Sequence, residues 1–221
     1  MEAKDHIPLL YHKPSEAEIL QRSEALLTCM KLRRSVRYFS DEAVPKELIL
    51  QLLQIAGSAP SGANKQPWHF VAVSNPTLKK QIREAAEKEE YLNYHGRMSD
   101  EWLDDLKAFG TDWHKPFLET APWLIIVFKK PYDLDGDQQV KNYYVSESVG
   151  IASGFLISAI HQVGLVTLTH TPSPMNFLER LLDRPKNEKA YLLLPVGYPA
   201  EDCLVPNIQR KDKEDIISFL E

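Results

Sequence analysis

The sequence predicts an α+β fold: a central mixed sheet of about four or five strands flanked by helices. Three observations carry that reading. Apolar residues recur at helical spacing over several long stretches, separated by turn signals. Between them stand short apolar runs of strand length, above all 122–128 (PWLIIVF), which reads as a central strand covered on both faces. No G-x-G-x-x-G follows the first strand and no G-x-x-x-x-G-K-[ST] occurs, so the doubly wound nucleotide-binding layouts find no support. A length of 221 residues suits a single domain, 1–221, with one sizeable core.

Taken in order, residues 1–14 are polar and punctuated by proline, which predicts an extended N-terminal arm. From Ser15 to Arg33, the residues Ile19, Leu20, Leu26, Leu27, Met30 and Leu32 fall near helical spacing. Pro45 sits where a first helical turn tolerates it; Leu48, Ile49, Leu52, Leu53 and Ala56 form one stripe, and Gly57 is a natural stop. Residues 68–73 read as a strand, and Asn75-Pro76 as the cap and first position of the next helix. The stretch 84–115 is dense in charge and aromatics (Tyr91, Tyr94, Trp102, Trp113) and holds Gly96 and Gly110, the composition of an active-site lid. A long helix is expected over about 140–163, with small residues (Ser146, Ser148, Gly150, Ala152, Ser153, Gly154) that permit close approach of a neighbour. Residues 165–169 and 191–196 supply two more strands, and 200–221 forms a C-terminal extension.

Bulk composition excludes several classes. A hydrophobic content of 43% and a charged content of 26% are ordinary for a globular chain, and a net charge of −5 argues against nucleic acid as the main partner. Cys29 and Cys203 form no C-x-x-C and no disulfide framework, which fits a reducing compartment; a cytoplasmic location is expected. The start, Met1 to His6, is charged and lacks the apolar run of a secretory signal, and no stretch is long enough to span a bilayer. Seven histidines include no pair at ligand spacing, so no metal is expected.

The feature most suggestive of a site is Arg33-Arg34-Ser35-Val36-Arg37, followed by Pro60-Ser61-Gly62-Ala63. Arginine forks match phosphate oxygens in geometry as well as charge, and the serine adds a hydroxyl. Such a helix end also serves elsewhere as a solvated face or caps carbonyls. In an acidic chain, though, three cations in five residues are a local site and not part of a basic field.

These segments, with Pro67-Trp68-x-Phe70 and Pro195-Val196-Gly197-Tyr198-Pro199, together resemble the nitroreductase superfamily over about residues 30–211. The resemblance implies a nitroreductase-like fold in a domain-swapped homodimer with FMN at the subunit interface. Within that superfamily Glu90-x-x-x-Tyr94, Lys115 in Trp113-His114-Lys115, and Thr169-His170-Thr171-Pro172 resemble the iodotyrosine deiodinase family, which removes iodide reductively from mono- and diiodotyrosine. By that resemblance Arg33, Arg34, Ser35, Val36 and Arg37, then Pro60, Ser61 and Gly62, then Thr169, His170 and Thr171, and the distant Arg210 bind FMN. Which arginine serves phosphate and which the ring stays open. Thr171 matches the hydroxyl beside the flavin N5 and is the expected catalytic residue. Ala63, whose backbone N–H matches the phenolate contact, joins Glu90, Tyr94 and Lys115 in binding substrate. His170 stands where animal members commonly carry a small hydroxyl residue.

The residues suit that chemistry. A halotyrosine is a zwitterion bearing an acidified phenol; its ammonium wants a carboxylate, its carboxylate a cation, and Glu90 and Lys115 supply one of each. Tyr94, four residues after Glu90 on one expected helix face, adds a phenolic donor. A hydroxyl at N5 favours one-electron flavin chemistry. The electron donor expected is NAD(P)H through a reductase. Two other readings remain at this stage: a general FMN nitro- or quinone reductase, which lacks a matched triad, and a non-catalytic flavin-binding protein, which needs no N5 hydroxyl.

Overall fold

A computed structural model of the chain describes residues 6–136 and 138–221. The charged start that was read as lacking a secretory signal, and with it part of the expected arm, lies mostly outside them. The chain divides into two units, Met1–Arg33 and Arg34–Glu221. The first contains α1 (Glu16–Leu32), which begins at a capping box: Ser15 Oγ accepts the Glu18 N–H, and the Glu18 carboxylate accepts the Ser15 N–H. No residue of α1 is buried, and Ile19, Leu20, Leu26, Leu27 and Leu32 stand exposed.

The second unit is built on a four-stranded sheet of β1 (Trp68–Val73), β2 (Trp123–Lys129), β5 (Val166–Thr167) and β6 (Lys189–Gly197), in the order β1-β2-β6-β5. Among the described residues every ladder is antiparallel, and parallel pairing is confined to the isolated bridge between Ser35 and Thr167. Side chains of a strand alternate between faces, and here both faces are covered. Ile125, Val127, Leu194 and Val196 join Ile49, Leu52 and Ala56 of α2 (Lys46–Gly57) and Val149, Ala152 and Leu156 of α6 (Val145–Gln162). On the other face Leu124, Ile126, Phe128 and Leu193 meet Ile82 and Ala86 of α3 (Pro76–Leu92), Leu118 of α5 (Phe117–Thr120) and Phe177 and Leu178 of α7 (Asn176–Leu181). Leu124 to Phe128 are fully buried as a result, which is why β2 reads as an unbroken apolar run.

Most sequence expectations hold closely: β1 spans the predicted residues, and Asn75 Oδ1 accepts the Leu78 N–H with Pro76 in the first turn of α3. Three differ. The helix expected from 140 starts at Val145, because Val140 and Lys141 belong to a hairpin of β3 (Tyr132–Asp135) and β4 (Gln138–Lys141). The strand expected over 165–169 keeps its ladder only at Val166–Thr167; beyond it His170 pairs alone with Leu193. The stretch 84–115 begins inside α3, where Ala86 and Glu90 are buried, and only then becomes a superficial excursion: a π turn over Asn93–Arg97, then α4 (Asp100–Lys107), which buries nothing.

Candidate active site

The arginine segment enters the sheet edge. Ser35 bridges Thr167, the Val36 N–H donates to the Thr167 carbonyl at 3.2 Å, and Val36 is buried, so the neighbouring side chains are fixed by backbone pairing. The Arg34 guanidinium donates to the Pro206 carbonyl. Arg37, half-buried, lies with its guanidinium 5.9 Å from the centre of the Phe109 ring. Ser35, Arg37, Tyr38, Phe109, Gly110 and Pro206 border a cavity of about 200 Å³. Arg33 ends the first unit as the C-cap of α1, its N–H on the Met30 carbonyl, and Arg210 is exposed in the C-terminal tail.

After α2 and the exposed Pro60, the turn at Ser61-Gly62-Ala63 is tight and nearly self-satisfied. Asn64 N–H donates to the Ser61 carbonyl, Lys65 N–H to the Gly62 carbonyl, and Gln66 N–H to Ser61 Oγ. Gly62 N–H donates to the buried Ser148 Oγ of α6 at 3.4 Å. Among the described residues the Ala63 N–H has no such partner, and Ala63 stands exposed at φ 49°. A Cβ on Gly62 would meet Tyr144 Cδ2 at 2.7 Å and the Tyr143 carbonyl at 3.2 Å, so the close approach of α6 requires glycine.

The excursion gathers the charged residues. Glu90, near the end of α3, and Lys115, just before α5, form an ion pair of 3.5 Å with side chains only 9% and 5% exposed. Lys115 Nζ also donates to Thr111 Oγ1 at 3.3 Å and to the Asp112 carbonyl, and it lies 5.4 Å from the centre of the Tyr94 ring. The Tyr94 hydroxyl donates to the Thr111 carbonyl at 3.3 Å. Burial pushes the Glu90 carboxyl above its ordinary range and the Lys115 ammonium below its own, each opposed by the other's charge. Burial raises the Tyr94 phenol too, and Glu90 adds to that rise. Tyr94 thus meets the other two as expected, but from the π turn and not from a continuous α-helix.

Past β5 the extended alternation continues: Thr169 and Thr171 are exposed while His170 is buried between them, its ring edge-on to Phe117 at 5.7 Å. His170 Nε2 is buried without a hydrogen-bond partner. Its pKa falls to about 3, chiefly through burial and then through Lys115 and Arg37, so the imidazole is neutral. Lys115, Arg37, His170, Glu90 and Tyr94 therefore form one electrostatic neighbourhood. Among the described residues no hydrogen bond or ion pair joins it to the Ser61–Ala63 turn. Sequence reasoning missed Glu87, Thr111, Asp112, Ser148 and Tyr144. Of these only Ser148 carried a signal, as one of the small residues in the first turn of α6.

An arginine segment on the sheet edge with a threonine pair beside it offers cations and hydroxyls to an anionic cofactor. A profile described as the Nitroreductase family matches residues 30–198, and the chain belongs to that family, in its iodotyrosine deiodinase branch. The iodotyrosine deiodinase of Haliscomenobacter hydrossis is 61% identical over 90% of this chain and 90% of its own length. That of Nematostella vectensis is 48% identical over 98% of this chain and 83% of its own. A crystal structure of oxidized iodotyrosine deiodinase bound to FMN and 3-iodo-L-tyrosine superposes with a TM-score of 0.74 at 34% identity, covering 89% of this chain and 99% of that one.

Proposed function

We propose that the chain is an FMN-dependent reductive dehalogenase that converts mono- and diiodotyrosine to tyrosine and iodide. The observation that carries this reading is the buried Glu90–Lys115 pair with Tyr94 beside it. A general nitro- or quinone reductase has no use for opposite charges held in a dry site, and a storage protein has none either. The names of the relatives agree with the reading.

The residues fit FMN. Ser35 and Arg37 offer a hydroxyl and a cationic fork at the edge of a cavity, with Arg34 next in the chain; Ser61 and Gly62 lie in a turn with backbone close at hand, and the exposed Thr169 and Thr171 flank a buried neutral imidazole with an open nitrogen. Val36 fixes the first segment through its N–H on the Thr167 carbonyl, and Pro60, Arg33 and Arg210 are assigned to FMN by the family resemblance. When bound, the flavin supplies the electrons that replace iodine by hydrogen. The protein does the rest. Ala63 N–H donates to the phenolate oxygen. Glu90 accepts from the substrate ammonium while Lys115 and Tyr94 donate to its carboxylate. Before substrate arrives the two charges satisfy each other, so binding exchanges one ion pair for two and leaves no buried charge alone. Thr171 Oγ1 donates its proton toward the flavin N5. Closure of the part of the 84–115 stretch that follows α3, residues 93–115, excludes water and strengthens each pairing.

The site is shared in a homodimer on this reading. Ser61–Ala63 is held by α6 on one face of the sheet, whereas Glu90 and Lys115 belong to α3 and the approach to α5 on the other. On this reading a second copy brings the two halves together. Within the second unit, the exposed Ile216, Phe219 and Leu220 of the tail are surface for that copy to cover. No described helix is long and apolar enough to cross a membrane; the proposal places the enzyme in the cytoplasm as a single domain, with NAD(P)H as electron source through a reductase.

The direct test is anaerobic turnover of iodotyrosine with dithionite, following iodide. Stoichiometric iodide is expected from a yellow, FMN-loaded protein. A loaded protein that reduces nitroarenes or quinones but releases no iodide restores the general reductase reading, and a protein that takes up no FMN removes the flavin assignment.

A further inference from the structure

We propose that Glu87 is a positioning residue for the amino-acid end of the substrate: its carboxylate holds Lys115 by the main chain and so sets where the ammonium stands. The inference rests on the reading that Lys115 binds the substrate carboxylate, and goes beyond it to the device that aims the lysine.

Lys115 lies in a segment with no ladder of its own, between α4 and the four-residue α5. Its long side chain could carry the ammonium several ångströms in any direction. Three contacts from α3 and its π turn take that freedom away. The Glu87 carboxylate accepts the Lys115 N–H at 2.7 Å. The Trp113 ring stands edge-on to Tyr91 at 5.3 Å, and the Tyr94 hydroxyl donates to the Thr111 carbonyl. Of the three, only the first acts on Lys115 itself. It is also the shortest and is charge-assisted, the strong kind of hydrogen bond.

A cation stands beside the carboxylate. Glu87 is 16% exposed at its side chain, and the Arg83 guanidinium lies 3.9 Å from its second oxygen and 2.8 Å from the Glu119 carboxylate. Arg83, Glu87 and Glu90 recur every three or four residues, so one face of α3 presents a cation, a main-chain anchor and the ammonium's partner in sequence, and Tyr94 follows from the π turn. Glu87 never reaches Lys115 Nζ in this arrangement: Glu90, Thr111 and Asp112 surround it. Glu87 fixes the near end of the lysine and Glu90 the far end. Losing the first lets the backbone swing and carries the ammonium away from Glu90 and from the substrate carboxylate.

The test compares KM and kcat of the FMN-loaded protein for iodotyrosine and for 2-iodophenol, which has no zwitterion. Glu87→Ala is expected to raise KM for iodotyrosine by about ten- to hundredfold, the range given by loss of a hydrogen bond to a charged group. Saturated kcat and KM for 2-iodophenol should stay within about twofold of the parent, and Glu87→Gln, which keeps the acceptor oxygen, should recover most of the affinity. An iodotyrosine KM unchanged in Glu87→Ala overturns the inference, as does equal weakening of both substrates, the mark of a purely structural role. Should Glu87→Ala fail to fold, Glu87→Asp keeps the charge but draws the acceptor back by one methylene; the same selective rise is expected, and its absence overturns the inference equally. Lys115→Met separates the two levels. If it leaves the iodotyrosine KM intact, the reading of Lys115 fails; if it weakens iodotyrosine while Glu87→Ala does not, only the role of Glu87 fails.

Discussion

Cutting the Glu90–Lys115 pair from either side, and then from both, measures whether these residues work as a unit. At 3.5 Å and an effective dielectric of about 20, the attraction is about 5 kcal/mol. Desolvation of two side chains less than a tenth exposed offsets much of it, as the opposite displacement of both pKa values toward the neutral forms indicates. The net value of the intact pair is therefore small, while removal of one partner strands the other. Glu90→Gln and Lys115→Met should each destabilise the protein by about 3–5 kcal/mol in urea unfolding. The double variant should fall short of the sum by about 2 kcal/mol or more, because it leaves no lone charge. For substrate, Glu90→Gln should weaken iodotyrosine by about 2–5 kcal/mol, roughly thirty- to several-thousandfold, in titrations of the FMN-loaded protein. FMN content and the weak binding of 2-iodophenol should not change. Stability losses that add to within about 0.5 kcal/mol would show two independent charges, and intact iodotyrosine affinity in Glu90→Gln would remove this cluster from the binding site.

Four further outcomes are expected. Gly62→Ala sets a Cβ 2.7 Å from Tyr144 Cδ2 and must shift the turn, so the phenol of bound halotyrosine should ionise less readily by absorbance titration; an unshifted titration refutes the role of this turn. His170 binds its proton near pH 3 when folded and near 6.5 when unfolded, so the unfolded chain holds more protons between those values and stability falls as pH drops through that window, by about 1.4 kcal/mol per unit. Unfolding of His170→Asn should lack that component from pH 6.5 down to 4, and parallel pH profiles for parent and variant would refute it. Thr171→Ala should keep FMN, lose deiodination and hold nitroarene reduction, since one bond at N5 is worth about 1–3 kcal/mol between redox states; a flavin potential and iodide yield equal to the parent's would clear Thr171 of that role. Mixing Glu90→Gln with Gly62→Ala subunits under exchange should restore deiodination well above either variant alone, because each mixed dimer regains one unimpaired shared site, and no recovery argues that each chain carries a whole site.

The parts of the fold legible in the sequence are those whose signal is local. Asn75-Pro76 marks the start of α3 because cap and first turn are satisfied by neighbours in the chain. The run at β2 marks a strand covered on both faces, but such a run is silent on direction, and the sheet is antiparallel where a mixed one was expected. The β3–β4 hairpin escaped because it is largely exposed and has no buried face to impose alternation on Asp133, Asp135, Gln138 and Gln139. In the site, the residue types of Glu90, Tyr94 and Lys115 were readable. Their convergence was not, for Lys115 is 25 residues beyond Glu90 and reaches it only because the π turn and α4 fold the chain back. Glu87 and Tyr144 act by touching backbone, and a backbone contact leaves no mark on residue type.

The buried pair also bears on why this site is selective. An ion pair with both side chains out of water is a poor means of stabilisation, since apolar residues of similar volume often serve as well or better. Its presence beneath a superficial segment calls for a benefit outside stability, and a zwitterionic substrate provides one. Glu90 and Lys115 cancel each other while the site waits, so neither charge is left alone. A ligand with only an ammonium or only a carboxylate breaks that cancellation and must leave one side chain charged and unpaired. A zwitterion breaks it and repairs both halves at once. Singly charged iodophenols should therefore bind no better than neutral ones, and the discrimination lies in the buried pair itself, before any contact with the iodine.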